Sequence, residues 1–365
     1  MTASAQPTKS VFYLLALMVI APLIAACSSS PRTMSFELPE ASDQTGRMWP
    51  SPPEQPRYAY IGDLVGESNF QDEIKETKQT AQRIWEFIAG IIGNNYEPVV
   101  LERPQSVVAD SQGNVFTTDV GRQAVVAFKY AQGEMEVWYN ADRSSGFATP
   151  VGITLTNSGT LLVTDAERKE VFELDTNGSP LSQFGKGALE RPTGIAQDPA
   201  TGFIYVADTQ ADNIKVFNAG GELIDTIGAS GDAPGLFNAP THLSIRGQQL
   251  YVADTLNARI QIVGLDGTPQ MTVGQRGINV GQFSRPKGVA TDSEGNIYAM
   301  ESYFDHLLVF SPKGEFLLPI GGTGVEAGHF FLPAGIWVDS TDKIYIADMM
   351  NGRIAIFQYL GSGNE

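Results

Sequence analysis

One unit, repeated six times, limits what this chain can fold into more than any other feature. It reads best at Arg191–Gly228, RPTGIAQDPATGFIYVADTQADNIKVFNAGGELIDTIG. Three alternating apolar runs, GIAQD, FIYVADT and NIKVFN, are followed by a fourth, ELIDTIG, with Asp/Gly-rich turns between them. Alternation with period two, broken by such turns, predicts a four-stranded antiparallel meander. Six prolines mark the repeats, Pro104, Pro150, Pro192, Pro240, Pro286 and Pro333, at intervals of 46, 42, 48, 46 and 47 residues. Between 14 and 16 residues after each comes an acidic residue that closes the second strand: Asp119, Asp165, Asp208, Asp254, Glu301 and Asp348. A four-strand unit of this period cannot bury its faces alone, and stacking blades around an axis solves that problem. The chain is therefore expected to be all-β, a six-bladed β-propeller.

The unit RPKGVATDSEGNIYAMESYFDHLLVFSPKGEFLLPIGG, residues 285–322, resembles the NHL repeat, as do its five companions from about Tyr58 to Leu360. The resemblance implies six blades. It implies little about activity, because similar folds host binding proteins, RNA-binding domains and a few metal-dependent lyases and hydrolases.

The chain must also close its ring. Blade six stops after a third strand, GRIAIFQYL, with five residues left, whereas PRYAYIG at 56–62 matches the fourth strand of other blades, such as ELIDTIG and EFLLPIG. An open ring would expose two unpaired strand edges, so Tyr58–Ile61 is expected to supply the missing strand of blade six. From Gly62 to Pro104 the link to blade one is long. Elsewhere it follows a short pattern, Gly228, Gly231, Gly235, Phe237, Pro240, repeated at Gly274–Pro286 and Gly321–Pro333. Within the long link Phe70, Ile74, Thr77, Ala81, Ile84, Ile88 and Ile91 fall at steps of four and three, with Trp85 beside them. That stripe predicts one inserted amphipathic helix, residues 70–92, either covering the propeller or docking a partner.

Ahead of the repeats, residues 1–27 read as a lipoprotein signal peptide. Val11–Ala26 is an apolar run of 16 residues, preceded by Lys9 and followed by Cys27, too short to span a bilayer comfortably. Ile24-Ala25-Ala26-Cys27 resembles a bacterial lipobox, cleaved before a cysteine that receives lipid. Cys27 is the only cysteine, so no disulfide framework competes with that role. Ser28 follows it rather than aspartate, and by analogy with such lipoproteins the anchor is expected in the outer membrane, with the protein facing the periplasm. Residues 28–56 read as a flexible tether and a proline-rich lead-in that cannot pack a core, and 57–365 as the propeller. Removing Lys9 from the 24 basic residues leaves 23 against 41 acidic ones, a formal charge of −18. That charge repels phosphates and offers no counterion release, so no nucleic acid partner is expected.

Few residues in the blades read as chemical. Two positions past each proline the first strand begins near the axis, with glycine at 152, 194, 288 and 335, Ser106 in blade one and His242 in blade four. Crowding favours glycine there, so His242 either lines the channel as a ligand or base or fills space as a hydrogen-bonded side chain. Arg103, Arg191 and Arg285 precede their prolines on blades one, three and five. They would form a ring of positive charge at the channel mouth or else pair with neighbouring carboxylates. The three histidines, His242, His306 and His329, occupy different local settings and do not converge as catalytic zinc requires. No protein-held cofactor is expected, although oxygen ligands leave room for a central Ca2+. Among reaction classes, no G-x-S-x-G elbow or phosphate loop is present. The expectation is a lipid-anchored binding or scaffold module for a protein or small-molecule ligand, its partner surface formed by Arg103, Arg191, Arg285 and His242. The alternative is a lactonase- or lyase-type enzyme with a divalent cation in the channel.

Overall fold

The alternating runs do become strands, and each repeat folds into one four-stranded antiparallel blade. The computed structural model describes residues 32–36, 48–51, 53–72 and 98–361. Blade 1 starts with Pro104–Ala109, blade 2 with Pro150–Leu155, blade 3 with Pro192–Gln197, blade 4 with Pro240–Arg246, blade 5 with Pro286–Thr291 and blade 6 with Pro333–Val338. These six first strands are neighbours in order around the axis, and the first strand of blade 6 meets that of blade 1. Each proline opens its strand opposite the acidic residue that ends the second strand, as in Pro104↔Asp119 and Pro286↔Glu301. The proline end of the channel therefore opens on the face made by second-to-third strand turns and inter-blade links.

Apolar side chains from facing blades fill the spaces between them. Phe128, Leu174, Phe217, Val263, Phe310 and Phe357, nine residues past the acidic position, are all buried. In the last three short links the Gly-x-x-Gly-x-x-x-Gly-x-Phe pattern turns a phenylalanine inward: Phe237, Phe283 and Phe330 have no exposed surface. Gly274 shows why glycine begins the pattern. It holds φ +76°, and a Cβ there would stand 2.1 Å from the Phe283 ring, closer than any packed side chain tolerates.

The ring is closed by the N-terminal strand. Tyr58–Leu64 pairs antiparallel with the third strand of blade 6, Arg353–Tyr359, from Tyr58↔Tyr359 to Leu64↔Ile354. Arg353 locks this seam from inside, donating from Nη1 to Asp63 at 2.9 Å and from Nε to Asp348 at 2.8 Å, with all three residues buried.

Three expectations need correction or fall outside the described residues. The proline-rich lead-in is more than a lead-in, because Met48–Trp49 adds a fifth strand outside Tyr58–Leu64. The Trp49 indole lies 5.6 Å from the Phe357 ring, edge to face, so an apolar surface recruits it. Residues 34–36 likewise fail to behave as an unpacked tether: Met34 and Phe36 lie against the apolar cluster between blades 6 and 1, and Ser35 bonds Asn69. The segment assigned to an inserted helix from residue 70 begins instead with a strand, Phe70–Asp72. Phe70 stacks on Phe128 at 6.2 Å, and that packing overrides the helical period at its first position. Residues 73–97 of that insertion, the signal peptide with Cys27 and most of the tether lie outside the described residues. Among the described residues no helix is long and apolar enough to cross a membrane.

Candidate functional site at the channel mouth

The acidic residue at the end of each second strand sets the geometry of the mouth. In blade 1 the Asp119 carboxylate accepts the backbone N–H of Glu102 at 2.7 Å and of Arg103 at 3.0 Å, and also those of Gly121 and Arg122 in the following turn. Asp208 holds the Glu190 and Arg191 amides in the same way, and Glu301 those of Ser284 and Arg285. A buried carboxylate that accepts several amides clamps the backbone of the residue before the proline. The side chain of that residue is left to project, and Arg103, Arg191 and Arg285 are all exposed. Among the described residues none of the three makes an ion pair.

The residue after each proline lines the mouth itself: Gln105, Val151, Thr193, Thr241, Lys287 and Ala334. Lys287 is the one cation in that ring, and no carboxylate among the described residues pairs with it. Burial holds its ammonium below the usual lysine range, and the charges of Arg285 and Arg191 add to the effect. Of the three arginines, Arg285 and Arg191 are the ones whose charge acts on Lys287. Lys287 was missed in the sequence, although the proline register places it one position before the axial residue. Threonine hydroxyls complete the wall, with Thr241 Oγ1 2.7 Å from Thr255 Oγ1 and donating to the Lys287 carbonyl at 3.1 Å.

His242 stands at the next level down, between the mouth and a deeper chamber of about 320 Å³. Its Nδ1 accepts the Val289 N–H at 3.3 Å, and burial pushes its pKa down to about 4. The imidazole is therefore neutral at physiological pH, with Nδ1 as acceptor and Nε2–H as donor. No described residue partners Nε2. The glycines at the same level have a steric origin: a Cβ on Gly152 would lie 2.1 Å from the Thr193 carbonyl oxygen, and one on Gly335 2.6 Å from that of Gln105.

Neither channel lining includes an aspartate or glutamate. Calcium wants carboxylate and carbonyl oxygens, and a lysine in the mouth opposes any cation, so these side chains do not fit a central Ca2+. Among the described residues no three His, Cys, Asp or Glu groups are placed to hold a metal.

The face around the mouth is divided. On blades 4 to 6 it carries Leu256, Ile278, Val280, Tyr303, Val325, Phe331 and Met350, all exposed, Ile278 by 83 %. Hydrogen bonds tie their loops into one surface. The Arg276 guanidinium donates to the Leu256 carbonyl, the buried Asp305 accepts the Leu332 N–H at 2.8 Å and the Thr323 hydroxyl at 2.6 Å, and Met350 N–H donates to the Phe331 carbonyl at 3.1 Å. Ile278 and Val280 form one wall of a cleft of about 80 Å³ whose other wall is Phe304 and Leu308 together with Glu301 and His306. On blades 1 and 2 the corresponding loops expose fewer apolar groups, Val100 and Tyr139, and carry ion pairs, with Arg122 3.3 Å from Glu102 and Arg168 3.8 Å from Asp142.

Comparison with known proteins agrees with this architecture. A sequence family described as a 6-bladed beta-propeller matches residues 285–362. The human E3 ubiquitin-protein ligase NHLRC1 is 29% identical over 119 residues, and bovine NHL repeat-containing protein 2 is 29% identical over 156. The chain is a six-bladed β-propeller of NHL type. The alignments cover 32% and 33% of this propeller protein but only 29% and 22% of those relatives, and rat peptidylglycine alpha-amidating monooxygenase matches at 31% identity over 15% of its length. Solved structures share the fold at low identity. A gluconolactonase from Xanthomonas campestris superposes with a TM-score of 0.55 at 15% identity, covering 71% of this chain and 86% of its own. Virginiamycin B lyase from Staphylococcus aureus gives 0.52 at 14%, covering 70% and 94%. An auxiliary nutrient binding protein from Bacteroides thetaiotaomicron gives 0.55 at 14%, covering 72% and 70%. The propeller fold alone thus accommodates catalysis and binding.

Proposed function

We propose that this NHL-type propeller is a binding module, held to the outer membrane through a lipid on Cys27 and facing the periplasm, that recognises a protein or small ligand on its link face. The observation that carries the reading is the divided face, where exposed apolar side chains on blades 4 to 6 border a mouth lined by Lys287 with Arg191 and Arg285 beside it. A connected apolar surface of this kind is costly to leave in water and is typical of recognition sites. The channel linings carry no carboxylates or converging metal ligands, which favours binding over a cation-dependent lactonase or lyase. The acidic balance of the chain makes nucleic acid a poor partner.

A photo-crosslinking amino acid placed at Val280, Tyr303 or Met350 in the full chain, in the cells that make it, tests the assignment. Discrete adducts from these sites are expected, with none from Thr201 on the opposite turns. Adducts of equal yield from both faces, or none from the link face, would overturn it. The attachment is tested by Cys27→Ser, which is expected to leave the chain unlipidated and uncleaved.

A further inference from the structure

The apolar half of the link face and the cationic mouth are separated by a short stretch of chain. Gln282 lines the side-chain-sized cleft of Ile278, Val280 and Phe304, and Lys287 follows five residues later at the mouth. Five extended residues span at most about 17 Å. A ligand that uses both features needs an aliphatic group and an anion within that distance. The apolar side chains stand on separate loops at an open surface, which suits the successive side chains of a peptide better than one continuous acyl chain.

We propose that the mouth captures the C-terminal carboxylate of an extended peptide, with Lys287 and the adjacent Arg285 and Arg191 receiving the carboxylate while an aliphatic side chain two to five residues upstream enters the cleft lined by Ile278, Val280 and Phe304. This rests on the binding reading above and names its ligand class. Three features support it. Lys287 has no carboxylate partner among the described residues, although the chain carries 41 acidic residues against 24 basic ones. Its ammonium is disfavoured by burial and by two like charges, and a bound carboxylate relieves both. Below it the neutral His242 offers Nε2–H as a donor, and the channel lining presents no fixed negative charge to repel an anion. Capture of a chain terminus by convergent donors is an established mode of peptide recognition.

The test uses two fluorescent pools of hexapeptides, mixed in Leu, Ile, Val, Ser and Gly, one ending in a free carboxylate and one in an amide. Binding to the full chain is read by polarisation. The acid pool is expected to bind at least tenfold more tightly than the amide pool. Lys287→Met should erase that preference, Lys287→Arg should retain it, and both variants should melt with the parent. Val280→Asp should weaken both pools together. Equal binding of acid and amide, a preference that survives Lys287→Met, or no binding of either pool would overturn the carboxylate assignment. The link-face reading is judged separately: it survives those results if the crosslinks from Val280, Tyr303 and Met350 persist without matching adducts from Thr201, and falls if they vanish or if both faces crosslink equally.

Discussion

Arg353 and Asp63 meet across 290 positions of sequence, and their meeting shows how a single side chain registers the closure of the ring. Asp63 lies in the closing strand, buried, and burial outweighs the attraction of Arg353 to push its pKa up from 3.8 to about 6. The folded protein then holds a proton that the unfolded chain has released between about pH 4 and pH 6. Over that window the contribution of Asp63 to stability falls as pH rises. Melting curves are expected to show the parent losing ground to Asp63→Asn between pH 4 and 6 and keeping a constant gap above it. A parent that gains on Asp63→Asn in that window would show that the ion pair, not burial, governs the site. Arg353→Met is expected to cost about 3–5 kcal/mol, because it strands two buried carboxylates. The acidic residues that end the second strands were legible from spacing alone, since their partners lie in the nearest turn and link. The roles of Asp63 and Lys287 were not. Asp63 meets Arg353 only when the closing strand, 290 positions away in sequence, joins blade 6, and Lys287 takes its setting from side chains of all six blades.

Elements were legible where one period governs a whole segment. The strand Tyr58–Leu64 could be matched to the fourth strand of other blades because it repeats their sequence, and it pairs as that match requires. Phe70 misled because one aromatic residue fits a helical stripe and a buried strand equally well, and the Phe128 ring decides between them. Met48–Trp49 misled because two residues carry no period. The axial glycines, by contrast, follow from backbone geometry, and a pair of substitutions separates crowding from chemistry. Gly152→Ala would place a methyl 2.1 Å from a backbone oxygen, where no rotamer can relieve it, and is expected to cost about 1–3 kcal/mol or more. His242→Gly copies the residue found at this level in four other blades and should cost no more than about 1 kcal/mol. Thermal or urea unfolding of the two variants reads the difference. A His242→Gly loss equal to that of Gly152→Ala would mean that the imidazole is a structural filler of the axis.

At the scale of the molecule, six blades of one pattern form a ring whose only discontinuity lies in blade 6, where the outer strand comes from the N-terminal side of the propeller. Linear repeat arrays need capping units with a polar outer face, and a closed ring needs none because every blade has two neighbours. If closure is a property of the ring rather than of one seam, the break in the chain should be movable. The Leu360 N–H donates to the Arg57 carbonyl at 2.8 Å, so the two ends at the seam already lie like the arms of a hairpin. A short Asp-Gly turn can join them. New ends opened between Gly220 and Gly221, in the third-to-fourth strand turn of blade 3, would hand closure to the strand Leu223–Ile227. This permuted chain is expected to remain monomeric and to melt within about 5 °C of an unpermuted chain spanning 57–361. Joining the old ends lowers the entropy of the unfolded chain while opening the new ones raises it, and the two effects nearly cancel. Aggregation of the permuted chain, with the unpermuted control intact, would show that blade 6 is the one place where this ring can be closed. The Arg353–Asp63–Asp348 cluster, which blade 3 lacks, would then be what makes the seam specific.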